Sequence, residues 1–388
     1  MATPTNMESL QSIVSSIDKF SPKFYKSLVK NGNNNLVCSP ISVSMVLSMA
    51  AFGAYGETQK ELRMGLNLLT TDEEIKRGIQ SLTDTLNSIE ASELQLANKM
   101  FTNTGFEVNP EFRNITETFF RSTTQSIDFR NTLTACQIIN NWCEKQTNNR
   151  IRDVMKPSSI SSDTRLILVN AVYFKGTWKT SFRTAHTQSK FFYINEQTKK
   201  LISMMHVTGN YNHAKVPNLN AHYIELPYNS NSSTDAISMF VILPIAISGL
   251  EEIEKNLEEI NFKKLHENNY SIKINLQLPK FKITSEFDLK NTLQKIGIND
   301  MFTMNADFRR ISESEQLNID NVFQKAFLEV NEEGTVAAAV TTTQVMFGCA
   351  RPLPPLEVVV NRPFFCAIVA TNTGTQLFNA RVIDPITI

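Results

Sequence analysis

No stretch of this sequence reaches the roughly 18 consecutive apolar residues that a membrane-crossing helix needs, so no transmembrane segment is expected. No CxxC or HxxxH pair occurs, and five histidines in the whole chain leave a metal site without a ligand set. The cysteines Cys38, Cys136, Cys143, Cys349 and Cys366 are odd in number and scattered, which excludes a disulfide framework. Cys136 and Cys143 fall seven apart in a helical pattern, on one face but roughly 10 Å apart along the axis, too far to bridge. There is no surplus charge either. Lys plus Arg number 38 and Asp plus Glu number 38, which removes the electrostatic argument for nucleic acid or an anionic membrane. The densest basic spots, Lys199-Lys200 and Arg309-Arg310, read as solvated surface. GxSxG is missing and the few histidines offer no triad neighbourhood, so an enzyme is not expected. No internal repeat and no Pro-, Gly- or Ser-rich linker divides the chain, so residues 1–388 read as one domain.

What is there suits a globular protein: 388 residues, 41% hydrophobic and 20% charged. The first third is mainly helical. Ile13, Ile17, Phe20, Phe24 and Leu28 form one apolar stripe at spacings of three and four. Ser39-Pro40 opens an apolar helix through Ser42, Met45, Leu47 and Ala50, with proline at the position where its missing N–H costs nothing. Thr58 with Glu61, and Thr71 with Glu74, match capping boxes. Residues 93–101 alternate as a strand, and 135–155 return to helical periodicity around Ile138, Ile139, Trp142 and Ile151. Residues 165–178 read as a long buried strand, and 237–244, 272–283, 322–332 and 356–370 as later strands, with helical patterns at 248–258 and 288–296. Helices first and strands later predict an α+β fold.

One segment is anomalous. From Gly334 to Ala350 there is no charged residue, and between Gly334 and Gly348 neither proline nor glycine. Glu332-Glu333 precede it, and Arg351-Pro352 and Pro354-Pro355 follow. Strands typically run about 5–6 residues and seldom exceed about 10, whereas 13 residues lie between these glycines. An exposed run rich in Val and Thr with no charge is competent to add to a sheet edge. It reads either as an ordinary buried strand or as a strand held in reserve. The small residues Ala337, Ala338 and Ala339 would let its first part enter a sheet at little steric cost.

The residues that follow carry a resemblance. AFLEVNEEGTVAAAV (326–340) resembles the serpin hinge signature, and NRPFFCAIVATNTGTQLFNARVIDP (361–385) the serpin C-terminal signature. NLVCSPISVSMVLSMAAFGAYGET (35–58) resembles the second serpin helix, and TNNRIRDVM (147–155) and LVNAVYFKGTWKTSF (168–182) are similar to two further serpin blocks. The tone is that of an invertebrate, arthropod-like member. The resemblance implies a serpin fold with three β-sheets, about nine helices and an exposed reactive-centre loop at about 334–355. It implies a metastable inhibitor of a serine protease. Cleavage of the loop would let it insert into the central sheet, trapping the protease as a covalent acyl complex.

Site residues follow from the same resemblance. Glu332 resembles the hinge acid and Lys280 its salt-bridge partner; read plainly, both are surface charges, and an exposed pair is worth about 0–1 kcal/mol. Trp178 resembles the tryptophan where the loop first enters the sheet, and read plainly is core. Ser39, Ser42, Asn170 and Gln324 resemble the polar cluster beneath the sheet-opening region, with Gln324 where many serpins carry histidine. Gly334, Thr335 and Ala337–Ala339 match the hinge of inhibitory members. Val336 replaces a commonly acidic residue, and Val340 is bulkier than usual. Counting Gly334 as first, the fifteenth residue places the reactive bond at Gly348-Cys349, with Phe347-Gly348 the alternative one residue shorter. These suit elastase-like and chymotrypsin-like pockets; Arg351 is followed by Pro352, which disfavours a trypsin-like enzyme. The competing expectation is a non-inhibitory carrier, chaperone or storage serpin, which a charged or proline-containing hinge would favour. No cofactor and no metal are expected. The helix at 71–90 carries only Lys76 and Arg77, so no glycosaminoglycan site is expected, and the chain is expected to be a monomer. Asn114, Asn231 and Asn269 head N-glycosylation sequons. The N-terminus lacks an apolar signal core. An extracellular location is expected for a processed form, with a cytoplasmic one the alternative.

Overall fold

The structure is a computed structural model and describes residues 6–29, 34–89, 92–231, 236–268, 270–313, 316–333 and 354–385. Helices dominate the first third: α1 (Asn6–Leu28), a short strand β1 (Leu36–Cys38), then α2 (Pro40–Gly53), α3 (Gly56–Gly65) and α4 (Asp72–Asn87). Next come β2 (Ser92–Asn103), α5 (Pro110–Phe119), β3 (Thr124–Ile127), α6 (Thr132–Gln146) and the long β4 (Leu166–Gly176). Strands β5 (Gln188–Tyr193), β6 (Lys199–Lys215), β7 (Ala221–Pro227) and β8 (Ile237–Pro244) follow. Two short helices, α7 (Leu250–Lys255) and α8 (Phe262–Glu267), lead into β9 (Ser271–Pro279) and β10 (Phe281–Asp288). The chain ends with α9 (Lys290–Lys295), β11 (Asn321–Val330), β12 (Leu356–Val359), β13 (Phe364–Ala370) and β14 (Thr375–Val382).

Among the described residues these strands form two hydrogen-bonded ladders. One has five strands in the order β10-β11-β4-β2-β3; the other has nine, β1-β14-β13-β8-β7-β6-β9-β12 with β5 on β6. β6 pairs β5 along Lys199–Met204, β9 along Met204–Asn212 and β7 along Asn212–Lys215. It therefore makes two of the expected three sheets continuous.

The five-stranded sheet is covered on both sides, which is why β4 reads as an apolar run from Leu166 to Phe174 interrupted only by Asn170. Leu166, Leu168, Val172 and Phe174 join one core with α1 and α2, while Ile167, Val169, Ala171 and Tyr173 join another with Ala135, Ile139 and Cys143 of α6. The alternation is the two-residue period of a strand. α2 is buried along its whole length, as expected of a helix apolar all round. Its first turn is set by Pro40 and by Ser39, whose Oγ accepts from the Ser42 N–H at 3.4 Å.

The Thr71–Glu74 capping box forms at the start of α4. The Thr58–Glu61 pair does not cap. α3 begins at Gly56, whose φ of +57° suits glycine. Thr58 instead donates to the Asp300 carboxylate and accepts from the Asp307 N–H, while Glu61 accepts the N–H groups of Asn299 and Asp300. Tertiary partners have claimed both side chains. The helix expected over 135–155 stops at Gln146, because Asn148 and Asn149 adopt φ of 49° and 61°, left-handed values that asparagine tolerates. Ile151 is buried from the irregular segment that follows. The runs 272–283 and 356–370 are two strands each, broken at Lys280 and at residues 360–363.

Candidate functional site

β11 and β4 lie side by side and run parallel, Asn321 opposite Ile167 through Leu328 opposite Phe174. Their other neighbours, β10 and β2, pair them antiparallel. The seam between β4 and β11 is thus a parallel joint at the centre of the sheet, and parallel pairing is slightly less stable per residue. Two of the places where it is held bear on the site.

The lower hold is a row of amides. Gln324 stands opposite Asn170 and Asn170 opposite Asn98, so three adjacent strands present an amide at one level, on the face turned toward α2. Gln324 Nε2 donates to Asn170 Oδ1 at 2.7 Å and to the Ser39 carbonyl at 3.0 Å, and its Oε1 accepts from the Ser39 N–H at 3.2 Å. Asn170 Nδ2 donates to Ser42 Oγ and to Asn98 Oδ1. The Ser39 hydroxyl donates to the Leu377 carbonyl at 2.7 Å. Gln324, Asn170, Ser39 and Ser42 are all fully buried. A buried polar network of this kind holds firmly when every member is satisfied.

The upper hold lies where β11 ends. The Trp178 indole N–H donates to the Asn331 carbonyl at 2.9 Å. Its ring stacks on Tyr228 with centroids 4.3 Å apart and meets Phe182 edge-on. Antiparallel pairing puts Phe281 opposite Val330, so Lys280 sits beside the chain that leaves β11. Lys280 Nζ lies 2.8 Å from Glu332 Oε2, and the Thr187 hydroxyl donates to Oε1 at 2.8 Å. Burial alone would raise the Glu332 carboxyl, but the Lys280 and Thr187 hydrogen bonds outweigh it and leave the group below the usual carboxylate range. Glu333 reaches the opposite flank, 2.6 Å from Lys175 Nζ, which likewise holds its carboxyl low.

The structure brings together Ser39, Ser42, Asn170 and Gln324 at one level, and Trp178, Lys280 and Glu332 at the other. Sequence reasoning missed Asn98, Thr187, Lys175 and Glu333. Asn98 left a signal, since it interrupts the alternation Leu94, Leu96, Met100; Thr187 comes from an irregular segment and left none. Gly334, Thr335, Ala337, Ala338, Ala339, Phe347, Gly348, Cys349 and Asn269 lie outside the described residues. Asn231 is exposed, although residues 232 and 233 of its sequon lie outside too. Asn114 is exposed on α5, but Thr116 of its sequon is buried and donates its hydroxyl to the Arg113 carbonyl at 2.9 Å. Among the described residues no three His, Cys, Asp or Glu side chains gather as metal ligands. No described helix is long and apolar enough to cross a membrane.

A mixed five-stranded sheet with a central parallel joint, followed in sequence by a long uncharged run, defines a class of protein. The chain belongs to the serpin (serine protease inhibitor) family, whose profile matches residues 15–385. It is 34% identical to antichymotrypsin-2 of Bombyx mori over 93% of this chain and 95% of that protein. It is 33% identical to antitrypsin of Bombyx mori over 99% and 96% of the two. Its fold is similar to the crystal structure of Serpin48, a highly specific serpin of the insect Tenebrio molitor, with a TM-score of 0.84, 29% identity, and 97% and 99% of the two chains covered. The relatives' names support protease inhibition by an arthropod serpin.

Proposed function

We propose that this chain is a suicide inhibitor of a serine protease, with the loop at about 334–355 as bait. The observation that carries this reading is the parallel β4–β11 joint. β11 leads through residues 331–333 directly into the uncharged stretch. A strand that turned back from β11 and entered the seam would run antiparallel to both neighbours, replacing one parallel pairing by two antiparallel ones. A sheet with that option still open has its most favourable pairing in reserve, which is the sense in which the chain is metastable.

The protease serine attacks the carbonyl of Gly348, or of Phe347 in the shorter register. An ester forms, the peptide bond to the following residue breaks, and its nitrogen leaves as the amine. Release of the new end lets residues 334–347 enter the seam before water hydrolyses the ester, and the enzyme stays attached. Gly348 and Phe347 favour an elastase-like or chymotrypsin-like target. The hinge carries no charge or proline from Gly334 to Phe347, which favours this role over that of a carrier, chaperone or storage protein. The protein acts as a monomer outside cells, without cofactor or catalytic activity of its own. Sugar on Asn114 would be added before folding, because the folded chain buries Thr116.

The test is incubation with chymotrypsin and with elastase. A complex that survives SDS, mapped by mass spectrometry to an ester at 347 or 348, is expected, together with a higher melting temperature for the nicked chain. Complete cleavage in that region with no complex and an unchanged melting temperature would overturn the reading.

A further inference from the structure

Two adjacent acids follow β11, and they bind in opposite directions. Glu332 is paired toward the β10 flank through Lys280, whereas Glu333 is paired across the seam to Lys175 near the end of β4. The register shows how far the chain has bent. Phe174 lies opposite Leu328, so Lys175 is level with Glu329, four residues before Glu333. A chain continuing straight would by then have advanced roughly 13 Å, yet the two charged groups are 2.6 Å apart. The bend is supported locally: Glu333 N–H donates to Asn331 Oδ1 at 2.9 Å, and Asn331 Nδ2 donates to Glu329 Oε1 at 3.1 Å. At Glu333 the side chain already reaches to the β4 side of the joint. Arg150 and Lys280 are the other cations that act on Glu333, at longer range than Lys175.

We infer that Lys175 and Glu333 are positioning residues that aim the hinge at the β4 edge and set the register in which Gly334 first meets it. This rests on the reading of residues 334–347 as an inserting strand. A strand in the seam would lie about 4.8 Å from β4, so the ion pair persists through insertion and guides it without acting as a lock. Glu332–Lys280 differs, because it ties the chain to the flank away from β4. Insertion races hydrolysis of the acyl-enzyme, so a poorly aimed hinge shows as more inhibitor cleaved for each enzyme trapped.

The experiment measures inhibitor molecules consumed per protease trapped for the wild type, Glu333→Lys, Lys175→Glu and the double exchange, at low and high salt. An exposed pair of this kind changes a rate by about two- to five-fold. Consumption per enzyme trapped is one plus the ratio of hydrolysis to insertion, so each single variant should raise the excess over one about two- to five-fold at low salt. The double exchange should return close to the wild type, and high salt should shrink the differences. The melting temperature of the cleaved variants should still rise, since the inserted strand itself is unchanged. Single variants that match the wild type, or a double exchange that rescues nothing, would overturn the guide. Failure of the wild type to trap any enzyme would instead overturn the inhibitory reading on which it rests.

Discussion

Gln324 faces Asn170 across the β4–β11 joint with its Nε2 2.7 Å from the asparagine Oδ1, and neither side chain reaches solvent. The same glutamine exchanges two hydrogen bonds with the backbone of Ser39, so one side chain binds β11 to both β4 and the start of α2. Gln324→Ala should leave the Asn170 oxygen and the Ser39 backbone unpaired, at about 2 kcal/mol. A lowered melting temperature of the intact chain, with the cleaved chain affected by a different amount, is the expected result. Equal losses in both forms would mean that the cluster does not distinguish open from closed sheets.

Glu332 predicts a pH dependence with a definite sign. Its folded carboxyl sits below the ordinary range. Its contribution is therefore complete above that range and is lost as pH falls through the folded value. Glu332→Gln should cost about 1 kcal/mol at neutral pH, with Lys280 partly exposed. The gap from the wild type should close on acidification, as read by thermal melts from neutral to acid pH. A gap that stays constant would show that the ion pair contributes nothing.

Trp178 provides an optical reporter. The chain has two tryptophans, and Trp142 lies on α6 with its ring 5.9 Å from Phe101. In a Trp142→Phe background the emission comes from Trp178 alone. It should change when the loop is cut, because the Asn331 carbonyl that holds its N–H lies at the hinge. Trp178→Phe keeps the aromatic packing but loses that bond, and should speed hinge release by up to about ten-fold.

Thiol chemistry offers an independent check on the packing. Cys38, Cys136, Cys143 and Cys366 are buried and unbonded to one another. Burial pushes the Cys143 and Cys366 thiols up to about 12, and Cys38 is raised by the same cause. Folded protein should show at most one thiol reacting quickly with a disulfide reagent, and none after Cys349→Ser. Four should appear when that variant is unfolded. A second fast thiol in the folded chain would contradict the burial.

Much of the fold was legible because its signals are local. Ser39-Pro40 started α2 and the Thr71–Glu74 box started α4, where the chemistry of a few neighbouring residues decides the outcome. The Thr58–Glu61 box misled because the pattern is equally open to distant partners, and the 299–307 segment took both side chains. Periodicity carried the helix of 135–155 too far, since Ile151 is buried from irregular chain as deeply as a helix would bury it. The site was legible chiefly through family resemblance. Composition marked the uncharged run, but nothing local says that Gln324 and Asn170 share a level in a sheet, because that depends on a register between residues 154 apart. Lys175 and Glu333 stayed hidden for the same reason.

The amide row of Asn98, Asn170 and Gln324 contains no group that gains or loses a proton in ordinary solution. Acid therefore acts unevenly along the joint. It attacks the carboxylates of Glu332 and Glu333 at the rim and leaves the middle untouched. Acid strong enough to protonate carboxyls held below the usual range should loosen the joint at its rim, like a seam picked open at the collar, while the stitches in the middle hold.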